Sequence, residues 1–183
     1  MVARVYLVRH GKAAATFAEA TDPGLDDRGR EQAIDLTKRL APLGPLPVLV
    51  SPLRRTRETA LPLCQRWEID PVVERRVAEI PSRDNDLQAR TLWLRGIMGQ
   101  RWGEVEVWLQ PWRQGVIDCL VALPRDTVVV SHFIAINVAV GAATGDDRVV
   151  GFRPDNCSCT ILQADGSHLT LLERGREGQT TVL

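Results

Sequence analysis

The sequence predicts an α/β fold: a three-layer sandwich with a mostly parallel central sheet covered by helices on both faces, to which a C-terminal hairpin adds an antiparallel part. Three observations predict it. Short runs such as Val5-Tyr6-Leu7-Val8 and Thr127-Val128-Val129-Val130 are apolar on successive residues, as strands buried on both faces are. Several such runs lead through a polar turn into a stretch with apolar residues at helical spacing, the alternation that builds a parallel sheet. Late in the chain, two strand-like segments flank Asp165-Gly166, a hairpin signal.

Taken in order, the first strand ends at Arg9-His10-Gly11. A polar, small-residue loop runs to Asp22-Pro23-Gly24, and Asp26 is placed to cap a helix whose Ala33, Leu36 and Leu40 mark one face. Pro42, Gly44 and Pro45 stop it. Pro47-Val48-Leu49-Val50 is a second strand, followed by Ser51 as the expected cap and Pro52 in the first turn of a helix running to about Trp67. Val72-Val73 makes a weak third strand, and residues 81–86 read as an irregular, exposed segment. Leu87, Leu94 and Ile97 mark one helix. Trp108, Trp112, Val116 and Leu120 mark another, and this tryptophan stripe reads as core rather than as a cofactor box. Residues 127–130 form the clearest strand, and Ser131-His132 opens a helix ended by Gly141 to Gly145. The hairpin pairs residues 159–162 with 168–172, and the tail after Arg174 is expected to be loose.

At 183 residues, 44% apolar and 25% charged, the chain is expected to form one domain, 1–183, with a full core. Lys plus Arg equals Asp plus Glu at 23 each, so no overall field favours nucleic acid or an anionic membrane, and neither is expected as a partner. An anionic substrate must then be held by a local cluster. The first residues reach Arg9 too soon for a secretory signal, and the apolar region 128–143 is interrupted by Ser131, His132 and Asn137, short of a lipid-spanning length. Four irregularly spaced cysteines suit a reducing compartment, so the expected location is cytoplasmic. Cys157-Ser158-Cys159 has no second pair or flanking histidine at ligand spacing, and no metal or other cofactor is expected.

Ligands of open α/β sheets bind beyond the carboxyl ends of the strands. Three strand ends here carry suggestive residues: Arg9-His10-Gly11, Ser51-Pro52-Leu53-Arg54-Arg55, and Ser131-His132. Such a cluster suits a phosphate, whose negative oxygens must be neutralised before any group attacks phosphorus. Arginine does this with a bidentate fork, and a neutral imidazole is a nucleophile available near pH 7. A carboxylic acid must protonate the departing alkoxide, and Glu79 is the candidate. Arg54, Arg55 and Arg57 cannot all face one ligand from a single helical turn. His168, in the hairpin, reads as structural.

These ordered motifs resemble the histidine phosphatase superfamily, with its phosphoglycerate-mutase-like fold, from Val5 to about Leu162. Residues 5–11 are similar to the family's opening strand and signature, 25–33 to its first helix start, and 51–60 to its second signature. Residues 128–132 are similar to the strand carrying its second histidine, and Asn156 with Ser158 to its late turn. The resemblance implies His10 as nucleophile, Arg9, Arg55 and His132 around the phosphoryl group, Glu79 as proton donor, and no metal. Arg54 and Arg57 are then bystanders. The glycine- and tryptophan-containing stretch that often follows the acid is replaced by Ile80-Pro81-Ser82-Arg83, and Phe133 stands where glycine is common after the second histidine. Lys12-Ala13 replaces an acidic or polar pair, which adds positive charge near the substrate.

The expected activity is metal-independent phosphomonoester hydrolysis, of the histidine acid phosphatase type, through a covalent phosphohistidine at His10. Alternatives are a phosphohistidine-protein phosphatase, a phosphoglycerate-type mutase, and an inactive phosphate-recognising interaction module. The expected partner is a small-molecule phosphomonoester or a phosphoprotein. Residues 81–103 are expected to build the pocket mouth and leave the substrate open, and nothing in the sequence bears on oligomeric state.

Overall fold

The computed structural model describes residues 2–16 and 19–179. Its six strands are β1 (Ala3–Arg9), β2 (Val48–Val50), β3 (Val72–Val73), β4 (Thr127–Ser131), β5 (Cys159–Ala164) and β6 (Leu169–Glu173). They form one sheet in the order β3-β2-β4-β1-β5-β6. Pairing is parallel from β3 through β2 and β4 to β1, and antiparallel from β1 to β5 and β6. This is the α/β arrangement expected from the sequence.

Successive residues of a strand point to opposite faces, so β1 sends Val5 and Leu7 into one core and Tyr6 and Val8 into the other. Helices α1 (Asp27–Leu40) and α2 (Arg54–Trp67) cover the Tyr6 side. The opposite side is covered by α3 (Leu87–Met98), α4 (Gln110–Val121) and α5 (Phe133–Thr144). The tryptophan stripe packs as core on this second side: Trp102 is buried, Trp112 lies against it, and Trp108 stacks on Trp93. Among the described residues, no helix is long and apolar enough to cross a membrane.

Strand register decides where the chemistry gathers. Val8 and Val50 both lie opposite Val130, so the carboxyl ends of β1, β2 and β4 stop level with one another. The residues that follow, His10, Ser51 and His132, therefore leave the sheet side by side. The link is closed by His10 N donating to the Ser131 carbonyl at 3.1 Å and Ser51 N donating to the Val130 carbonyl at 3.2 Å.

Several local expectations hold. Asp26 caps α1 by accepting from Gly29 N at 2.7 Å, and Ala33, Leu36 and Leu40 are buried. Gly166 turns the hairpin at φ 92°, with Asp165 Oδ1 accepting from Ser167 N and His168 N. Two expectations fail. Helix α2 begins at Arg54 rather than at Pro52, and Asp22, not Ser51, supplies the carboxylate that accepts from Arg54 N, at 2.8 Å. The tail after Arg174 is docked: Asp155 N donates to the Arg176 carbonyl, Gly178 N donates to the Arg153 carbonyl, and Arg176 pairs with Asp155 at 2.8 Å. Residues 180–183 of that tail, and residues 17 and 18 of the first loop, lie outside the described residues.

The turn after β1 packs against the start of α1 with no room for side chains. A Cβ on Gly11 would sit 2.7 Å from the Gly29 carbonyl oxygen, and a Cβ on Gly29 would collide with the Lys12 carbonyl. Because both obstacles are backbone, Gly29→Ala should destabilise the protein by about 1–3 kcal/mol. The exposed Gly96, inside α3, has nothing within 4 Å of its would-be Cβ. Gly96→Ala should stabilise by about 0.5–1 kcal/mol, because alanine restricts the unfolded chain and is the better helix former. Urea titrations of the two variants check the pair, and equal midpoints would contradict this packing.

Candidate active site

His10 is the first residue past β1. Its Nδ1 lies 2.7 Å from the Gly11 carbonyl oxygen, which can only accept, so the ring donates Nδ1–H there and keeps a lone pair on Nε2. Arg55 Nε donates to that lone pair at 3.2 Å. The backbone around the ring is pinned from two sides. Asn156 Nδ2 donates to the His10 carbonyl at 3.0 Å, and Gly11 N donates to Thr59 Oγ1, which itself donates to the Arg55 carbonyl. The first strand end, the late turn and α2 are thus locked together around one imidazole.

Arg9 and Arg55 are both buried. Arg9 Nη1 donates to the Pro154 carbonyl at 2.8 Å, and its guanidinium stands 5.2 Å from the centre of the Phe133 ring. Burial pulls the Arg9 pKa down to about 10, opposed by the nearby Glu79, and lowers Arg55 in the same way. Both stay charged near pH 7. His132 occupies the cap position of α5, fully buried, with Nε2 2.8 Å from Ser51 Oγ and its ring 5.2 Å from that of His10. Burial, and then the positive field of Arg55 and Arg9, hold both imidazoles well below the usual histidine value, so both are neutral.

Glu79 reaches the same place from the segment after β3. Its Oε1 accepts from Ile80 N at 3.0 Å, and both oxygens lie 3.2–3.3 Å from Ile134 N in the first turn of α5. Burial raises the carboxyl pKa, while the backbone donors and the arginines oppose the shift. A cavity of about 370 Å³ brings together Arg9, His10, Arg55, Glu79, Phe133 and Asn156.

The structure thus brings Arg9, His10, Arg55 and Glu79 to one cavity, with His132, which does not line it, buried against the His10 ring. Arg54 and Arg57 point to solvent, Arg54 pairing with Glu58, and His168 sits exposed in the hairpin turn. Two expectations about the mouth change. Its wall comes from the loop between Lys12 and Pro23, rich in small residues, whereas residues 81–103 contribute Leu94. The Lys12 charge is not spare, because its Nζ pairs with Asp26 at 2.9 Å. Sequence reasoning missed the contact of Ser51 with His132, although Ser51 stands directly after a strand and heads the segment similar to the second signature. Among the described residues, no group of three or more His, Cys, Asp or Glu side chains is arranged to hold a metal ion.

These shifts make stability depend on pH. The folded His10 and His132 sit below the unfolded value of about 6.5, so on acidification the unfolded chain takes up protons first and stability falls from that pH downward. Glu79 acts oppositely: its folded value is raised, so its contribution is present below the unfolded value of about 4.3 and is lost as pH rises through the folded one. Unfolding free energy should therefore drop between about pH 7.5 and about pH 5.5. The double variant His10→Asn, His132→Asn should show a shallower drop by urea titration, and an unchanged slope would remove these two groups as its cause.

Known proteins extend this picture. A profile of the histidine phosphatase superfamily, branch 1, matches residues 5–176. A probable phosphoglycerate mutase from Erwinia tasmaniensis is 28% identical over 197 residues, covering 94% of this chain and 89% of that protein. In fold, the chain is similar to a phosphoserine phosphatase from Entamoeba histolytica solved with 3-phosphoglyceric acid, with TM-score 0.73, 17% identity and coverage of 97% and 98% of the two chains. It is also similar to a mycobacterial glucosyl-3-phosphoglycerate phosphatase, with TM-score 0.68, 21% identity and coverage of 99% and 100%. The profile spans both strand-end histidines and the arginines beside them, and on that match the chain belongs to the histidine phosphatase superfamily.

Proposed function

We propose that this protein is a metal-independent phosphomonoester hydrolase that works through a covalent phosphohistidine at His10. The observation that carries the reading is the His10 ring itself: Nδ1 is tied to the Gly11 carbonyl and the Nε2 lone pair is held beside Arg55. An ester phosphate entering the cavity replaces that arginine contact. Arg9 and Arg55 take its oxygens, and His132 lies alongside. Nε2 then forms a bond to phosphorus while the P–O ester bond breaks, and Glu79 gives its proton to the departing oxygen. Water next attacks phosphorus, returns a proton to Glu79, and releases orthophosphate with His10 neutral again. Two guanidinium groups supply the neutralising charge, so the reading needs no cation.

The position of Glu79 in the same cavity as His10 supports ester substrates, whose alkoxides need protonation, over phosphohistidine, whose leaving group is already good. The mutase reading is favoured by the name carried by the Erwinia relative. It differs in one step, where a second hydroxyl of the substrate replaces water as the acceptor. Incubation with a phosphoglycerate separates the two, by isomer formation in one case and orthophosphate release in the other.

Two experiments test the proposal. Hydrolysis of an aryl phosphate should survive excess chelator and vanish in His10→Ala, and chelator-sensitive turnover would overturn the metal-independent mechanism. Glu79→Gln should slow alkyl phosphates by about a hundred-fold or more while sparing aryl phosphates, since only the poor leaving group needs the proton. Equal losses on both would remove Glu79 from that role.

A further inference from the structure

Ser51 is fully buried directly after β2 and was expected to cap a helix, yet it caps none. Its hydroxyl oxygen accepts from Leu53 N at 3.2 Å and stands 2.8 Å from His132 Nε2. A buried hydroxyl needs an acceptor for its own hydrogen. Among the described residues, the ring nitrogen of His132 is the acceptor within reach. If His132 instead donated to Ser51, the serine hydrogen would be stranded in the interior. The ring of His132 is neutral and so carries one proton, and Nε2, as acceptor, cannot be its site. The proton is then on Nδ1, which is buried and has no hydrogen-bond partner among the described residues.

We propose that Ser51 is a positioning residue that fixes the tautomer of His132, so that Nδ1–H is presented as a donor to an oxygen of the bound phosphoryl group. The proposal rests on the phosphoryl site described above. Without Ser51, the ring is at liberty to place its proton on Nε2 and turn a lone pair toward the phosphoryl oxygen, which repels it. The two imidazoles then have complementary parts. His10 offers a lone pair to phosphorus, and His132 offers a proton to an oxygen on the same phosphorus. Each part is set by one neighbour on the far side of its ring, the Gly11 carbonyl for His10 and the Ser51 hydroxyl for His132.

The chain has three histidines, so long-range nitrogen–proton NMR spectra can be assigned with His10→Gln and His168→Gln variants. The native spectrum should show His132 with a protonated Nδ1 and an unprotonated Nε2. In Ser51→Ala the ring should shift to the Nε2–H form or a mixture, and orthophosphate should bind about ten-fold or more weakly, the loss expected for a hydrogen bond to a charged group. Ser51→Thr should restore both. Thr56 donates to the Ser51 and Leu53 carbonyls without touching His132, so Thr56→Val loosens the same loop and should keep the native tautomer. Protonated Nε2 in the native protein overturns the proposal whether or not Ser51→Ala folds, and so does an equal shift in Thr56→Val. An inactive native chain that showed the expected tautomer and Ser51-dependent phosphate affinity would refute the hydrolase reading alone.

Discussion

Two arginines buried at the carboxyl ends of parallel strands set the terms for everything around them. Removing a guanidinium from water is costly, and the chain does so twice within one cavity while its overall charge is zero. Arg9 is steadied by the Pro154 carbonyl and the face of Phe133, and Arg55 by the lone pair of His10. Their field, added to burial, keeps both imidazoles neutral, which an imidazole must be if it is to attack phosphorus. The same field would favour an ionised Glu79, and burial works against it. The site is thus a balance between desolvation and two fixed positive charges.

That balance changes when a phosphoryl dianion enters. With Glu79 ionised, the site holds two positive charges and one negative, and adding a dianion leaves an excess negative charge in a dehydrated pocket. With Glu79 protonated, the dianion is matched by the two arginines. On the proposed reading, substrate itself drives the carboxyl toward its protonated form, because like charges at short range disfavour joint ionisation. The acid is loaded by the ligand that needs it, and the Ile134 amide that holds the carboxyl keeps it aimed in either state.

Much of this was legible because the relevant sequence signals are local. A strand reads as an apolar run, the residue after it stands at the sheet edge, and parallel register places several edges together, so Arg9, His10, Arg55 and His132 could be grouped before any coordinates. Glu79 was harder, since β3 is two residues long and the segment after it is irregular. What stayed hidden depends on partners far apart in the chain. Ser51 looked like a cap because serine after a strand usually is one, and nothing in its neighbourhood announces a histidine 81 residues away. Asp22 took the capping role across 32 residues, and Asp26 took the Lys12 charge that seemed destined for the substrate. The tail looked loose because it is polar, yet its backbone is held by partners 15 to 25 residues away, the Arg153 carbonyl, the Asp155 amide and the Thr160 hydroxyl.

The division between hydrolase and mutase comes down to one position beside Glu79. On the proposed reading, attack on the phosphohistidine comes in line with the P–N bond, from the side the first alcohol left, and Glu79 serves that side. By microscopic reversibility the group that protonated the first oxygen deprotonates the second, whether that oxygen belongs to water or to another hydroxyl. Glu79 therefore does not distinguish the two reactions, and neither do the arginines. The choice falls to whatever occupies the space between Glu79 and the loop from Lys12 to Pro23. That wall carries the small side chains of Ala13, Ala14, Ala15 and Ala20, and beside them the polar ones of Lys12, Thr16, Glu19 and Thr21. A mutase has to retain that product long enough to turn it around, whereas a hydrolase has only to let water in. A wall that mixes alanines with Lys12, Thr16, Glu19 and Thr21 meets either requirement, so its composition does not choose between the two reactions.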